Sequence, residues 1–566
     1  MSEGCISKFK RGNKTYYYYN RSYRVKVDPN AEGKTKCSGK SKVLTERYYL
    51  GQASDILNRF KDNSKVSQIE KREFGLPLAL WNIANEIDLI DIIDRTIPKR
   101  NQGLSIGEYI VINAISRVSP TPPSKSDIEN WIKKSCLLKV TGKGSLSSQS
   151  FWNNFEKVMS EAEIKSQEEL DSVKIEKIEE AIWEKLIEKY GFLLDVVLYD
   201  TTNFATFIDK FTDSTLPGYG RNKHGMNNKR QVGLSLAVLN NTQIPLFHEL
   251  YQGSINDVTL FPSAINKLVS RISNLTKDVS KIILVFDKGN NSEKNILNLE
   301  EAKIDFVGSL TPSQHKDILR IPLSKYSETI GDSIIYRTKK ELYGKERTVI
   351  VSYSENSKKR QLSIFTDKLN AVKRSIRDIY DKNRNKGKEN SEIQKIMDSY
   401  LKSIKIDTAR ASYYIKAFIE DDKLRIRVTD NVKWKKLSFG KTIYFSSLLN
   451  AETGTIIKYY KDKNKIEDVF KILNNYVSFQ PVRSWTDSKI KVHAFVCVIA
   501  LLLVKLLEYI SAKNGLSMST KVLINELRDI TEVILLYPDL KVDRQICNMT
   551  TIQKALFDLF NLSKFT

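Results

Sequence analysis

Hydrophobic and polar positions follow three regimes along the chain. In residues 1–60, aromatic and β-branched residues cluster at 15–19, 23–27 and 47–50. Asp28-Pro29-Asn30 and a Gly/Lys/Ser loop separate them, which predicts a small strand-rich piece. From about 70 to 190 the period becomes helical. Leu76, Leu80, Ile83, Ile87, Leu89 and Ile92 share one face, and Pro98 stops the run. Further helices are expected over 107–118, over 124–134 after a proline-rich turn, over 150–159, and through the Glu/Lys-rich stretch 161–190. At Leu193 the pattern changes again. Strands are expected at 193–199, 231–239 and 245–251, then a helix at 258–272, a strand at 281–286, a helix at 292–302 and a strand at 305–310.

Short turns join the first three of these strands into an antiparallel meander, and intervening helices make the later two parallel additions. That is the layout of a ribonuclease H-like α/β core with a mixed sheet. Residues 311–445 interrupt it with expected strands at 333–338, 347–353, 361–365 and 423–428. They also carry a charged helical pair over 367–404, split near 383–387. A structureless loop of this length is rare, so the block reads as an inserted β-rich and helical domain. A strand at 442–446, a helix at 463–476, an apolar helix at 490–510 and a helical tail follow. The apolar run 494–504, between His493 and Lys505, is too short to span a bilayer and reads as a buried helix. The expected division is therefore 1–65, a strand-rich N-terminal piece; 66–190, a helical DNA-binding domain; 191–310, the first part of the core; 311–445, the inserted domain; and 446–566, the rest of the core with C-terminal helices.

Charge narrows the partners. The chain has 91 Lys+Arg against 67 Asp+Glu, a net +24. Such a surplus favours a polyanion, because each phosphate neutralised releases counterions. Five cysteines without a CxxC pair and four scattered histidines argue against a disulfide framework or a zinc ribbon, and fit a reducing compartment. Residues 1–20 hold no apolar stretch of the signal-peptide kind.

Three carboxylates stand out by position. Asp200 is expected to end the strand Leu-Leu-Asp-Val-Val-Leu-Tyr-Asp, and Asp287 the strand Lys-Ile-Ile-Leu-Val-Phe-Asp. Glu467 lies in the helical segment Lys-Asn-Lys-Ile-Glu-Asp-Val-Phe. Alone, an Asp after a strand is usually a turn residue and a helical Glu a solvated one. On one core topology, strand-end carboxylates point into a common cleft, where they stay charged only with cations. Hard oxygen ligands select Mg²⁺ or Mn²⁺, and two such ions about 3.5–4 Å apart serve phosphoryl transfer. Arg221, Lys223 and His224 form a basic loop suited to phosphate. Trp434, beside Lys433, Lys435 and Lys436, is either a packing residue or a platform for an extruded base.

Taken together, the motifs resemble those of DDE transposases of bacterial and archaeal insertion sequences, within the large insertion-sequence-four superfamily, in the branch with a long inserted domain. The motifs are Tyr199-Asp200-Thr201-Thr202-Asn203-Phe204; Gly220 to His224 with Gln231, Pro245, Gly253 and Asn256-Asp257; Phe286-Asp287-Lys288-Gly289-Asn290-Asn291; and a Tyr-x2-Arg-x3-Glu-x6-Lys pattern around Glu467, followed by Pro481-Val482-Arg483. The resemblance implies that Asp200, Asp287 and Glu467 hold two Mg²⁺ or Mn²⁺ ions. It implies that Tyr460, Lys463 and Lys471 contact DNA from one helix face. Lys463 stands where the family has arginine and Asn474 where it has lysine, with Lys471 one turn earlier. The implied activity is metal-dependent cleavage and strand transfer on double-stranded DNA, at element ends and at a target. A homodimer would pair two ends, in a prokaryotic cytoplasm at the nucleoid, with no membrane. Two other readings stay open: a nuclease on the same core, and a decayed transposase acting as a DNA-binding regulator, which the changes at 463 and 474 would favour.

Overall fold

The computed structural model describes the chain except for residues 1–3, 27–40, 62–65, 67, 98–102, 125, 143–146, 158–166, 210, 221–227, 277–280 and 538–541. It divides into two compact units: residues 1–72 with 531–548, and residues 73–530 with 549–566.

The first unit opens with β1 (Cys5–Arg11), β2 (Lys14–Lys26) and β3 (Ser41–Gln52), an antiparallel sheet in the order β1-β2-β3, followed by α1 (Ala53–Lys61) and β4 (Gln68–Glu73). The sequence pattern locates the strands of β2 and β3 but not β1, α1 or β4.

Among the described residues, the second unit begins with the helices α2 (Gly75–Glu86), α3 (Leu89–Thr96), α4 (Ile106–Arg117), α5 (Ile128–Lys133), α6 (Leu137–Thr141), α7 (Ser148–Lys157) and α8 (Gln167–Tyr190). The start of α4 is fixed by a capping box. Ser105 Oγ accepts the Glu108 N–H, and Glu108 Oε2 accepts the Ser105 N–H. Gly107 lets α4 meet α3, since a Cβ there would stand 2.4 Å from the Ile90 carbonyl oxygen.

Next come β5 (Val196–Ala205), β6 (Gln231–Leu239), β7 (Pro245–Gln252), α9 (Asp257–Leu275), β8 (Ile283–Val285), α10 (Glu293–Glu301) and β9 (Asp305–Leu310). β5, β6 and β7 form an antiparallel meander, and β8 and β9 add in parallel beyond β5. The expected ribonuclease H-like order is present.

The interruption differs from the expectation. α11 (Lys316–Leu319) leads to β10 (Glu328–Ile330), β11 (Ser333–Leu342) and β12 (Lys345–Tyr353). These three strands do not make a sheet of their own. They extend the core into one nine-stranded sheet, β10-β11-β12-β17-β9-β8-β5-β6-β7, in which β17 (reached below) pairs antiparallel with both β12 and β9. Only the following stretch is a separate module: α12 (Glu355–Arg384), α13 (Asn390–Ser403), β13 (Lys405–Ile406), β14 (Ala409–Arg410), α14 (Ala411–Tyr414), β15 (Ile415–Glu420), β16 (Lys423–Val428) and α15 (Asp430–Ser438). Its core gathers Phe365, Ile376, Met397, Tyr414 and Phe439. The strand expected at 361–365 lies inside α12, because Phe365, Leu369, Val372, Ile376 and Tyr380 are buried at helical spacing and outweigh the short apolar run.

The chain returns through β17 (Lys441–Ser446), α16 (Thr453–Asp462), α17 (Asn464–Asn475), α18 (Asp487–Lys513) and α19 (Thr520–Asp529). β18 (Thr531–Leu536) and β19 (Val542–Ile546) then pair in the first unit with β4, and α20 (Thr551–Leu559) belongs to the second. The expected helical tail thus also contains these two strands, which the pattern does not predict. α18 is long and apolar enough to cross a membrane, but 94% of its apolar window is buried in the protein, against α2, α4 and β7 among others. It is the core helix expected from 490–510. The helices expected as a separate domain within 66–190 share one compact unit with the nine-stranded sheet.

Candidate active site

Aromatic residues set the carboxylates. Tyr199 and Phe286, each just before an aspartate, are fully buried and both pack on Phe261 of α9, with ring centroids 5.4 and 5.1 Å away. Side chains alternate along extended backbone, so Asp200 and Asp287 turn away from that aromatic anchor. The parallel pairing of β5 with β8 ends at Leu198 opposite Val285, and each aspartate follows two residues later (200 − 198 = 2; 287 − 285 = 2). The two carboxylates are therefore held in register by the sheet. Asp200 does not end its strand: β5 continues to Ala205 against β6, and Asp200 stands where β8 stops beside it. Its Oδ1 accepts the Thr201 N–H at 2.8 Å.

Asp287 is held from α16. Tyr460 Oη donates to its Oδ1 at 3.1 Å and lies 2.7 Å from Ser309 Oγ on β9. The tyrosine has one proton, so Ser309 donates to its oxygen in turn. Burial, reinforced by the Asp287 charge, pushes the Tyr460 phenol far above its ordinary pKa and keeps it a donor. The Lys463 ammonium stands 3.7 Å from the same Oδ1, and the lysine is 7% exposed. Lys463 thus compensates a carboxylate in this structure. Ser309 was not singled out from the sequence, where Gly308-Ser309-Leu310 reads only as part of a strand.

The helix expected over 463–476 is α17, and a second helix, α16, precedes it where the pattern predicts none, so Tyr460 lies on α16. α16 and α17 meet at Lys463, whose backbone is helical, but the junction is tightened by bonds from Lys463 N to Tyr460 O and from Ile466 N to Lys463 O. Tyr460 and Glu467 therefore sit on different helices, not on one continuous face. α17 packs on β5 through a face that buries Ile466, Val469, Phe470 and Leu473, and leaves Glu467 exposed. Among the described residues no three His, Cys, Asp or Glu side chains converge into a ready metal cluster. Lys471 is 66% exposed and pairs with Asp468 of its own helix at 2.6 Å. Asn474 is half-buried, with no partner for its Oδ1 among the described residues.

The glycine motif is architectural. Gly218 and Gln231 exchange backbone bonds, and Gln231 Nε2 donates to Gly253 O at 2.9 Å. A Cβ on Gly253 would stand 1.9 Å from the Gln231 carbonyl oxygen. The loop leaving β5 is tied down by Asp487, which accepts from Thr215 N, Thr215 Oγ1, Leu216 N and Ser214 Oγ. These donors hold its carboxyl below the usual range although burial opposes them. Phe207, Phe211, Tyr219 and Trp485 are exposed on this loop and on the segment bridged to it. Sequence reading passes over them because an aromatic is more often core. Arg221, Lys223 and His224 lie outside the described residues. Trp434 on α15 is half-buried, and the cations over its ring are Lys316 (5.1 Å) and Arg320 (4.8 Å), not its sequence neighbours.

The family model for the transposase DDE domain matches residues 191–503, more than half of the chain and the span from the start of the core sheet to α18. The chain belongs to this family. It is a DDE transposase, an enzyme of DNA transposition on a ribonuclease H-like core. No curated protein matches the sequence. Among solved structures the transposase is similar to the cryo-EM structure of the piggyBac transposase synaptic complex with hairpin DNA, at 12% identity over 88% of each chain, with a TM-score of 0.39. It is also similar to the Mos1 transposase paired-end complex with left transposon end, at 11% identity over 37% of this chain and 60% of that one, with a TM-score of 0.15. At these scores the likeness carries no residue correspondence.

Proposed function

We propose that this transposase cleaves double-stranded DNA at the ends of an insertion sequence and joins the freed ends to target DNA, with Asp200, Asp287 and Glu467 as its catalytic carboxylates. The observation that carries the reading is the register of Asp200 and Asp287 at the edge of one parallel strand pair, each anchored through its preceding aromatic on Phe261. Such a pair fits hard divalent cations because the donors are carboxylate oxygens. Mg²⁺ is the favoured ion, with Mn²⁺ as a substitute, and when bound it supplies Lewis-acid polarisation of the phosphate and a more acidic attacking water.

The chain's own groups do the positioning. Tyr460 and Lys463 hold Asp287 through Oδ1, and its other oxygen, Oδ2, would serve as the ligand atom. Asp200 is fixed by the Thr201 amide. Glu467, exposed on α17, would be the third carboxylate to hold the ion. In the first step a water oxygen forms a bond to phosphorus, the P–O3′ bond breaks, and the departing 3′ oxygen takes a proton. In the second step that 3′-hydroxyl attacks a target phosphodiester in line and displaces its 3′ oxygen. Two copies of the chain pair the two ends.

Asp200→Asn, Asp287→Asn and Glu467→Gln each keep the shape and remove the charge. Each is expected to reduce cleavage of a labelled element-end duplex to background while DNA affinity stays within about twofold, because ligand carboxylates hold the ion and not the duplex. Near-normal cleavage by the Asp287→Asn protein in Mg²⁺ would overturn the assignment. Cleavage without end joining in a mini-transposon assay would favour the nuclease.

A further inference from the structure

The three strands of the N-terminal sheet have an unusual composition for their exposure. β1, β2 and β3 carry nine Lys or Arg, eight aromatics and one acid, Glu46. An antiparallel sheet ordinarily buries one face. Here Ile6, Phe9, Tyr23, Tyr48 and Tyr49 are all more than 40% exposed, and β1 is exposed at six of its seven positions.

The register sorts the residues by face. Phe9 pairs with Tyr16, Arg11 with Lys14, Tyr18 with both Ser7 and Tyr49, and Asn20 with Arg47. Directly paired residues share a face, and β2 alternates, so these residues stand together. Tyr49 lies 6.1 Å from Tyr16 and 5.3 Å from Tyr18, ring to ring, and the Arg47 guanidinium covers Tyr18 at 4.3 Å. Glu46 points to the other face, where Tyr23 and Tyr48 both donate to it. The Tyr16/Tyr18 face thus offers Arg11, Lys14 and Arg47, phenol hydroxyls and flat rings, and no carboxylate among these paired positions.

We propose that this face is a DNA-contacting surface in its own right, which lies against duplex DNA. The argument is charge complementarity joined to geometry. Cations spaced along the ladder neutralise phosphates, and a two-stranded β-ribbon fits the major groove, where arginine and asparagine read base edges. It rests on the reading of the protein as a transposase, and it assigns DNA contact to a part of the chain outside residues 191–503, to which the family model is matched.

The experiment uses the full-length protein without divalent ions and measures affinity for an element-end duplex by fluorescence anisotropy across a salt series. Arg11→Ala/Lys14→Ala/Arg47→Ala should lower affinity at least tenfold and make the slope of log K against log salt shallower by about 2–3, since each phosphate contact contributes about 0.9. Arg11→Lys/Arg47→Lys should keep the wild-type slope, which separates lost charge from a damaged sheet. With Mg²⁺ and saturating protein, the alanine variant should cleave at the wild-type rate. Wild-type affinity and slope in the alanine variant, with wild-type cleavage, would overturn this inference and leave the transposase reading intact. A loss confined to single-stranded DNA would overturn it too. Absence of duplex binding by the unaltered protein would remove both.

Discussion

Tyr460→Phe tests whether the carboxylate site is held as the hydrogen bonds indicate. The change removes one oxygen. Asp287 Oδ1 then loses the donor at 3.1 Å and keeps only Lys463 at 3.7 Å, too long for a hydrogen bond. Ser309, 4% exposed, loses the partner at 2.7 Å. A hydrogen bond to a charged acceptor is worth about 1.5–3 kcal/mol, and outer partners of a metal ligand typically account for about 10–100-fold in metal affinity or activity. The ring still packs edge-on against Tyr444, 5.3 Å between centroids, so the fold should persist. The expected outcome is a rise of about 10–100-fold in the Mn²⁺ or Mg²⁺ concentration for half-maximal cleavage, with the rate at saturating ion mostly recovered. The assay is cleavage of a labelled duplex across a metal series, with a thermal melt as control. Ser309→Ala should move the metal dependence the same way, but less. An unchanged metal dependence would refute the reasoning. Loss of cleavage at every metal concentration with an unchanged melt would show that Tyr460 acts on DNA, as the family resemblance implies.

Phe261→Leu loosens both aspartates at once. It removes two aromatic pairs, each worth about 0.5–1.5 kcal/mol, so stability should fall by about 1–3 kcal/mol in a denaturant melt. Cleavage should fall further than the unfolded fraction explains, and full activity in the folded fraction would contradict the anchoring role. Asp487→Asn should destabilise the protein near neutral pH. A carboxyl held below its ordinary pKa stabilises the fold above the unfolded value, about 3.9, and that contribution fades as pH falls through the folded value. Melts of the two proteins should therefore converge below about pH 4, and a constant gap down to pH 3 would argue that the lost stability is not electrostatic.

The catalytic sheet was legible because its strands are continuous apolar runs bounded by turns. β6 and β9 match their expected bounds, since burial on both faces leaves no alternation to misread. Asp200 and Asp287 were legible through position and resemblance together. Less visible was what depends on contacts far apart in sequence. The union of β12 with β17, residues about a hundred positions apart, decides that β10–β12 belong to the core sheet, and no local pattern encodes it. The resemblance points to Tyr460 and Lys463 as DNA contacts; their engagement with Asp287 arises where α16 meets β9 and the residues around it. The cations over Trp434, Lys316 and Arg320, are likewise distant from it in sequence.

The module carried between β12 and β17 leaves and re-enters the sheet at a single rung. Tyr353 is paired with Lys441, and the next residue inward on each side is also joined, Ser354 N to Gly440 O at 2.9 Å. Topologically the whole module is the loop of a hairpin. Loop closure depends only weakly on length, so the pairing beneath is nearly indifferent to what the loop contains. The module folds around its own apolar core and also touches the residues before β10 through Trp434 against Lys316 and Arg320, so a change of length within it is expected to leave the strands that align Asp200 with Asp287 in place. In such a layout, change by insertion and constancy of catalysis do not compete. The proposed chemistry is tied to one stretch of the sheet, and new length enters at another, through the hairpin-like join at Tyr353 and Lys441.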